Sequence, residues 1–257
     1  MYYLLLPIKF LFTVYALALF IVFMLLVFPF VLVASFFGKV RGGNFIYSIC
    51  RLWTDIILPL WGIFHKNIYE APHDVNRQYV FVVNHISYMD IPVILKSIRK
   101  QHFRVLGKYE ISKIPVFGFI YKSTVVMVER GSAKKRAESV HLLKRIIQKG
   151  ISVLIFPEGT FNKTHHPLKE FYDGTFRIAI ETQTPIKPVL FLDTYSRLSY
   201  NNFFSLMPGR SRAVFLNEIN VDGLTVKDIP ALKRKVHKIM EEKLISYNAA
   251  WINTSEK

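Results

Sequence analysis

A histidine and a carboxylate in the segment Asn-His-Ile-Ser-Tyr-Met-Asp, residues 84–90, are the first candidates for chemistry. A neutral imidazole accepts a proton near neutral pH, and an alcohol becomes a good nucleophile when a base takes its proton. A carboxylate on the far ring nitrogen would fix the tautomer and stabilise the imidazolium. His85 and Asp90 cannot pair along one straight strand, so the pairing requires a strand-to-helix turn. The alternative is that Asp90 caps a helix and His85 is a core residue.

Two further polar clusters follow apolar runs. Glu129 and Arg130 come after residues 125–128, and a guanidinium there can hold a phosphate through two parallel hydrogen bonds. The second cluster is Phe-Pro-Glu-Gly-Thr, residues 156–160, in which Gly159 permits a tight turn whose N–H groups can bind an anion. Glu158 either contacts an acceptor hydroxyl or braces the loop. Each cluster taken alone is also compatible with a surface ion pair or an ordinary turn.

The elements that must position these residues alternate along the chain. Helical periodicity covers 133–149, with Gly150 as its stop, and 230–246. Short β-branched or aromatic runs predict strands at 79–83, 124–128, 151–156, 186–192 and 213–216. This order predicts an α/β fold with a mixed, mainly parallel sheet flanked by helices. Because each polar cluster directly follows a strand, we expect all three at one edge of the sheet.

The N-terminal segment differs from the rest. Residues 10–37 carry no charge, a run longer than the roughly 20 residues that span a bilayer core and too long for a signal peptide. A spanning helix and a bent helix pair in one leaflet both stay open, because Pro29 can break the run and residues 53–64 form a second apolar stretch. The cations after the run predict a cytoplasmic catalytic side: Lys39, Arg41 and Arg51. We predict membrane-anchoring helices over 1–64 and a catalytic domain over 65–257.

The composition narrows the class of partner. Lys and Arg number 34 against 18 Asp and Glu, a formal charge of +16, which indicates a polyanionic partner. The apolar N-terminus and the lack of a nucleic-acid-binding motif favour an anionic membrane surface or a phosphorylated substrate over nucleic acid. The single cysteine, Cys50, excludes an intramolecular disulfide.

Taken together, the motifs resemble the glycerolipid acyltransferase family, especially 1-acylglycerol-3-phosphate acyltransferases. Residues 84–90 match that family's Asn-His-x-Ser-x-x-Asp block at every fixed position. Glu129-Arg130, 156–160 and the Pro-Ile-Lys-Pro-Val segment 185–189 match its later blocks in order. Residues 107–118 resemble the segment between the first two blocks, with Lys108 at its basic position.

The resemblance implies that His85 and Asp90 are catalytic. It places the acceptor's phosphate on Arg130 and substrate binding on the remaining predicted site residues: Lys108, Glu158, Gly159, Thr160 and Lys163. The reaction it implies moves an acyl chain from an acyl-carrier-protein or coenzyme A thioester to the sn-2 hydroxyl of 1-acylglycerol 3-phosphate, giving phosphatidic acid. It implies no metal and no organic cofactor. No covalent intermediate is expected, since Cys50 lies outside the motifs and Ser87 lacks a nucleophile-elbow context. The expected partners are membrane lipids and the thioester carrier, at the cytoplasmic face of the inner membrane.

Two departures from the family pattern remove positive charge. The Arg expected at position 161 is Phe161, and the Lys of a Phe-Lys-x-Gly block is Tyr172. Lys108, Arg130 and Lys163 would then have to supply the charge that binds phosphate. A second hypothesis is therefore an O-acyltransferase for a phosphate-free lysolipid, such as a lyso-aminoacyl lipid. A third is a non-enzymatic lipid-binding adaptor on the same scaffold, for which His85 would be dispensable.

Overall fold

The computed structural model describes residues 2–128 and 133–252. Glu129 and Arg130 lie outside the described residues. The centre of the fold is a seven-stranded sheet in the order β1-β7-β6-β2-β5-β3-β4. All neighbouring strands pair in parallel except β6 and β7, which are antiparallel. The strands are β1 (Ile63–Tyr69), β2 (Val80–Val83), β3 (Phe103–Lys108), β4 (Val125–Val128), β5 (Ser152–Ile155), β6 (Ile186–Phe191) and β7 (Gly209–Phe215).

The central strands are apolar because both of their faces are covered. β2, β5 and β6 are buried along their whole length, as expected for parallel strands between two layers of helices. Alternate β2 residues enter different cores. Val80 and Val82 pack with the side chains of the C-terminal helix layer, whereas Phe81 and Val83 pack with Phe103 on the opposite face.

Eight α-helices surround this sheet within the described residues. They are α1 (Tyr2–Ser35), α2 (Gly43–Leu60), α3 (Asp90–Ser97), α4 (Phe117–Thr124), α5 (Ala133–Ile147), α6 (Gly174–Glu181), α7 (Thr194–Arg197) and α8 (Ile229–Ser246). The chain leaves α5 through Gly150 in a left-handed conformation with φ of +80°, which is the C-terminal stop that the sequence predicts. α8 buries Leu232, Val236, Met240 and Leu244 on one face.

Helix α1 lies against the sheet domain along most of its length. The Trp61 indole N–H donates to the Ala16 carbonyl at 3.1 Å, and the Leu206 N–H donates to Thr13 Oγ1 at 3.1 Å. Further along, Val31 and Ala34 are buried with Ile46 and Ile120. The outward face of α1 stays apolar and exposed. Its residues 7–35 form a helix long and apolar enough to cross a membrane, with a mean hydropathy of 3.1.

The predicted fold class is confirmed, and each predicted strand overlaps an observed one. Sequence reasoning missed β1 and β3, whose polar positions obscure the strand pattern, and it gave only the second half of β7. Pro29 does not break α1, which continues to Ser35. β1 begins at Ile63, two residues before the predicted catalytic domain, and the division at 64 and 65 stays a prediction.

Candidate active site

The turn that carries the candidate base begins where β2 ends. The Asn84 side chain continues the β2–β6 pairing, because its amide donates to the Phe191 carbonyl at 3.1 Å and its Oδ1 accepts from the Phe191 N–H at 2.8 Å. Ser87 donates its hydroxyl to the Leu198 carbonyl and accepts from the Met89 N–H. Both polar side chains therefore hold the 84–90 turn (residues 84–90) at the carboxyl edge of the sheet.

The structure brings His85 and Asp90 together in this turn. His85 Nδ1 lies 2.8 Å from Asp90 Oδ2. The His85 side chain keeps 17% of its surface exposed, whereas Asp90 is fully buried. A neutral ring paired in this way carries its proton on Nδ1, which leaves the lone pair of Nε2 free to accept a proton.

The Asp90 carboxylate also organises the turn around the histidine. Its Oδ2 accepts the backbone N–H groups of Ile86 at 2.8 Å and Ser87 at 3.0 Å. Asp90 is the first residue of α3, and Met89 holds the N-cap position without a side-chain capping bond. The carboxylate is therefore turned back toward the histidine rather than capping α3. Its Oδ1 is buried without a hydrogen-bond partner among the described residues.

Glu158 braces the histidine from the neighbouring strand end. Its Oε1 accepts the His85 N–H at 2.8 Å, and its Oε2 accepts the Lys169 N–H at 3.1 Å. Burial is the main cause that raises the pKa of Glu158 to about 7, against the lowering effect of these two backbone N–H groups. Both carboxylate oxygens of Glu158 accept main-chain hydrogen bonds. Of the two roles that the sequence allowed for Glu158, this arrangement corresponds to bracing the loop.

The 156–162 loop (residues 156–162) turns sharply at Gly159. Its φ is +71°, a backbone conformation that favours glycine. A Cβ at this position would also lie 2.7 Å from the Tyr172 ring, closer than side chains normally pack. Thr160 is exposed, and its Oγ1 accepts from the Lys169 ammonium at 2.8 Å. The Asn162 N–H donates to the His85 carbonyl at 2.8 Å, which ties the end of the loop to the 84–90 turn.

Aromatic rings enclose the histidine on two sides. The Phe156 ring stacks on the imidazole with centroids 3.9 Å apart, and the Phe161 ring meets it edge-on at 4.3 Å. From Phe161 the ring contacts continue outward in sequence, with neighbouring centroids at most 6.1 Å apart, through Tyr88, Phe203, Phe204 and Phe10. We call these five residues the aromatic row. It connects the histidine to α1, and its last four members are 42–51% exposed.

The remaining predicted site residues lie apart from the histidine pair. Lys108 is exposed at the end of β3, on the same edge of the sheet, and Lys163 is exposed just after the 156–162 loop. Neither contacts His85 or Asp90. Arg130 falls outside the described residues, so its role in phosphate binding stays a prediction. Cys50 lies in α2 as a free, half-buried thiol.

Sequence reasoning missed Lys169 and the aromatic row. Lys169 is nine residues from Thr160 in a segment without a recognisable motif. Phe203 and Phe204 lie in the long connection between β6 and β7, and only the folded chain brings them close to Tyr88. Among the described residues, no group of three or more His, Cys, Asp or Glu side chains is placed to hold a metal ion.

Comparison with known proteins settles the family. A family model described as Acyltransferase matches residues 63–192, about half of the chain, and this range contains the 84–90 turn and the 156–162 loop. The chain belongs to the acyltransferase family. The resemblance seen in the ordered motifs is thereby confirmed, and the chain is an acyltransferase.

Curated relatives of this acyltransferase come from bacteria, plants and animals. A 1-acyl-sn-glycerol-3-phosphate acyltransferase of Haemophilus influenzae is 27% identical over 201 residues, covering 77% of this chain and 81% of the relative. A chloroplastic 1-acyl-sn-glycerol-3-phosphate acyltransferase of Arabidopsis thaliana is 29% identical over 218 residues, covering 84% of this chain. The acyltransferase spans 56% of that plant protein, so it matches little more than half of the longer relative.

A solved structure supports the fold of the acyltransferase. The crystal structure of the 1-acyl-sn-glycerophosphate acyltransferase from Thermotoga maritima superposes with a TM-score of 0.72. The match covers 94% of this chain and 96% of the other, at 23% sequence identity. At that identity the likeness establishes the shared fold.

Proposed function

We propose that this acyltransferase transfers an acyl chain from an acyl-carrier-protein or coenzyme A thioester to the sn-2 hydroxyl of 1-acylglycerol 3-phosphate. The product is phosphatidic acid. The observation that carries the proposal is the His85–Asp90 pair, joined at 2.8 Å between Nδ1 and Oδ2, with no hydrogen bond to the outer imidazole nitrogen among the described residues. The names of the relatives from Haemophilus influenzae and Arabidopsis thaliana support the choice of acceptor.

The pair accounts for the chemistry without a covalent enzyme intermediate. His85 Nε2 takes the proton of the acceptor hydroxyl as its oxygen attacks the thioester carbonyl. The tetrahedral intermediate collapses by expelling the thiolate, which takes the proton back from the imidazolium. Asp90 stabilises that imidazolium through Nδ1 and holds the ring in position.

The aromatic row supports entry of the acceptor from the membrane. Its rings form a continuous apolar path from α1 to Phe161, directly beside the imidazole. A lysolipid must leave the bilayer far enough for its hydroxyl to reach His85 while its acyl chain stays out of water. We place the acceptor's acyl chain along this row.

The acceptor assignment is tested by exchanging charge at two positions. With a phosphate-bearing acceptor, Arg130→Ala raises the KM for lysophosphatidate by about tenfold or more, because a paired charge is lost. Phe161→Arg is then tolerated or mildly helpful. A side-by-side assay of lysophosphatidate and a lyso-aminoacyl lipid, each with both thioester donors, measures the preference.

One observation favours a second candidate acceptor, a phosphate-free lysolipid such as a lyso-aminoacyl lipid. Phe161 packs edge-on against His85 where the family pattern has an arginine, and a phenyl ring offers no donor to a phosphate. For this acceptor, Phe161→Arg impairs the native reaction and activity on lysophosphatidate is low. Clear preference for the aminoacyl lipid would overturn the phosphate assignment and leave the His85–Asp90 mechanism in place.

We further propose that α1 and α2 attach the enzyme to the cytoplasmic leaflet of the inner membrane without spanning it. The docked part of α1, from Thr13 to Ala34, is about 30 Å long at 1.5 Å per residue, as long as a bilayer core is thick. If α1 crossed the bilayer, the helices packed along it would lie in hydrocarbon too. α2 and α4 carry Arg51, Asp55 and Lys122, which argues for insertion into one leaflet.

Labelling with a membrane-impermeant maleimide tests this attachment. In a Cys50→Ser background, single cysteines at Ile8 and at Lys227 should be accessible from the same, cytoplasmic side. Access to position 8 from the opposite side alone would establish a spanning helix. A matched triple variant, Leu11→Gln, Leu26→Gln and Val33→Gln, changes three side chains that are 59–65% exposed and should shift the enzyme from the membrane to the soluble fraction.

A further inference from the structure

Lys169 places an ammonium group beside the 156–162 loop, next to Thr160. Its backbone N–H donates to Glu158 Oε2 at 3.1 Å, and Glu158 in turn accepts the His85 N–H at 2.8 Å. Its carbonyl lies 3.2 Å from His237 Nε2. Hydrogen bonds therefore hold the main chain of Lys169 on both sides, and Glu158 links it to the main chain of His85.

The Lys169 side chain returns to the same loop. Its Nζ donates to Thr160 Oγ1 at 2.8 Å, beside the left-handed turn at Gly159. An ammonium has three N–H donors, so this bond leaves two of them for a ligand. The Thr160 hydroxyl accepts from the lysine and keeps its own hydrogen for a further acceptor. Together the two side chains present several donors and one positive charge.

The nearby carboxylates form no ion pair with this ammonium among the described residues, although its charge lowers the pKa of Glu158 in part. Both Glu158 oxygens bind backbone N–H groups, and burial raises its pKa to about 7, so the group is partly neutral at physiological pH. Asp173 and Glu170 lie 2.7 Å and 4.0 Å from Lys233 Nζ. In the part of the chain that the structure describes, Lys169 therefore forms no ion pair.

We propose that Lys169, with the Thr160 hydroxyl, binds the phosphate of the acceptor headgroup. This inference rests on the proposed function and adds a phosphate contact to it. The acceptor then lies across His85 with its acyl chain on the aromatic row and its phosphate on the Lys169–Thr160 pair. Such an arrangement orients the acceptor hydroxyl toward Nε2 and keeps the charged group away from the Phe161 ring.

One neutral variant and one charged variant of Lys169 separate the effect of charge from that of loop support. Lys169→Gln can still donate a hydrogen bond to Thr160 but carries no charge, and Lys169→Arg keeps the charge. For the proposed phosphate contact, Lys169→Gln raises the KM for lysophosphatidate by about tenfold or more, with a smaller change in kcat. Lys169→Arg stays close to wild type, and Thr160→Ala, which retains the charge, raises KM less than Lys169→Gln. Lys227→Gln, at an exposed lysine in the turn before α8, is the matched control.

The outcomes distinguish this inference from the proposed function. A Lys169→Gln enzyme with a wild-type KM for lysophosphatidate would overturn the inference. So would a Lys169→Gln enzyme in which only kcat falls and Thr160→Ala lowers kcat equally, because both side chains would then only support the loop. In both cases the proposed function stands if the wild-type enzyme acylates lysophosphatidate. A wild-type enzyme that fails to acylate lysophosphatidate with either donor overturns the proposed function and the inference together.

Discussion

The 84–90 turn and the 156–162 loop meet at the same histidine, but they are held in different ways. In the turn, Asp90 Oδ2 receives His85 Nδ1 and the N–H groups of Ile86 and Ser87, all within five residues. The loop depends on distant partners, since Lys169 bonds to Glu158 and Thr160 while Tyr172 covers Gly159. The difference indicates that the His85–Asp90 contact itself depends on neighbouring residues, whereas the 156–162 loop depends on segments further along the chain.

The largest expected effect tests the local turn. His85→Ala and Asp90→Asn should each lower turnover by about 10²–10⁴-fold, the usual contribution of a general base, while circular dichroism shows the fold unchanged. His141→Ala, at an exposed histidine on α5, should leave turnover unaltered. Near-normal acyl transfer by purified His85→Ala enzyme would refute the mechanism.

The second largest expected effect tests the hydrogen bond by which Glu158 joins the 156–162 loop to the 84–90 turn. Glu158→Gln replaces one acceptor oxygen by an NH₂ group, which faces either the His85 or the Lys169 N–H without bonding to it. Turnover on lysophosphatidate should fall by about tenfold or more, because an unmade buried hydrogen bond displaces the base. A variant with wild-type kinetics would show that the 84–90 turn needs no support from the loop.

The same carboxyl gives a pH-dependent contribution to stability. The pKa of Glu158 in the folded state, about 7, lies above the ordinary glutamate value of 4.5. The folded state therefore binds the proton more tightly, and the free energy of unfolding falls as pH rises through this window. Linkage gives a loss of about 3 kcal/mol between pH 4 and 8. Denaturation of wild type and Glu158→Gln across this range should show this loss as a pH-dependent difference between the two free energies of unfolding, because the other titrating groups contribute equally to both. Parallel curves would mean that Glu158 ionises normally in the folded enzyme.

The smallest expected effect concerns the aromatic row. Tyr88→Ala removes a 51% exposed ring that connects Phe161 to Phe203. We expect the KM for a long-chain acceptor to rise by about five- to tenfold through lost apolar contact, with little change for a short-chain acceptor. Tyr172→Ala, at an exposed ring that contacts Gly159 and is not part of the aromatic row, is the matched comparison. An equal loss for both chain lengths would show that the row does not bind the acyl chain.

Part of this structure could be predicted from the sequence. Strands β2 and β4 are apolar throughout, and β5 and β6 carry one polar residue each, Ser152 and Lys187. All four could therefore be predicted from composition and length. β1 and β3 could not, since His65, Lys66 and Arg104 interrupt their apolar patterns. His65 bonds to Ser211 and Arg104 bonds to Asn44, and only the folded chain supplies these two partners. The histidine–aspartate pair could be proposed because its spacing and residue types are local, and its geometry follows from one tight turn.

By itself, the sequence determined the apolar N-terminal helix, the mainly parallel α/β order and the His85–Asp90 pair. These depend on hydrophobic periodicity and on contacts between residues close along the chain. Only the tertiary structure decided that Glu158 binds main-chain N–H groups, that Phe161 packs on the imidazole and that Lys169 reaches Thr160. Their partners are brought together by the pairing of β2, β5 and β6 and by the docking of α1. No local pattern encodes such contacts, because their free energy comes from burial that exists only once the sheet has formed.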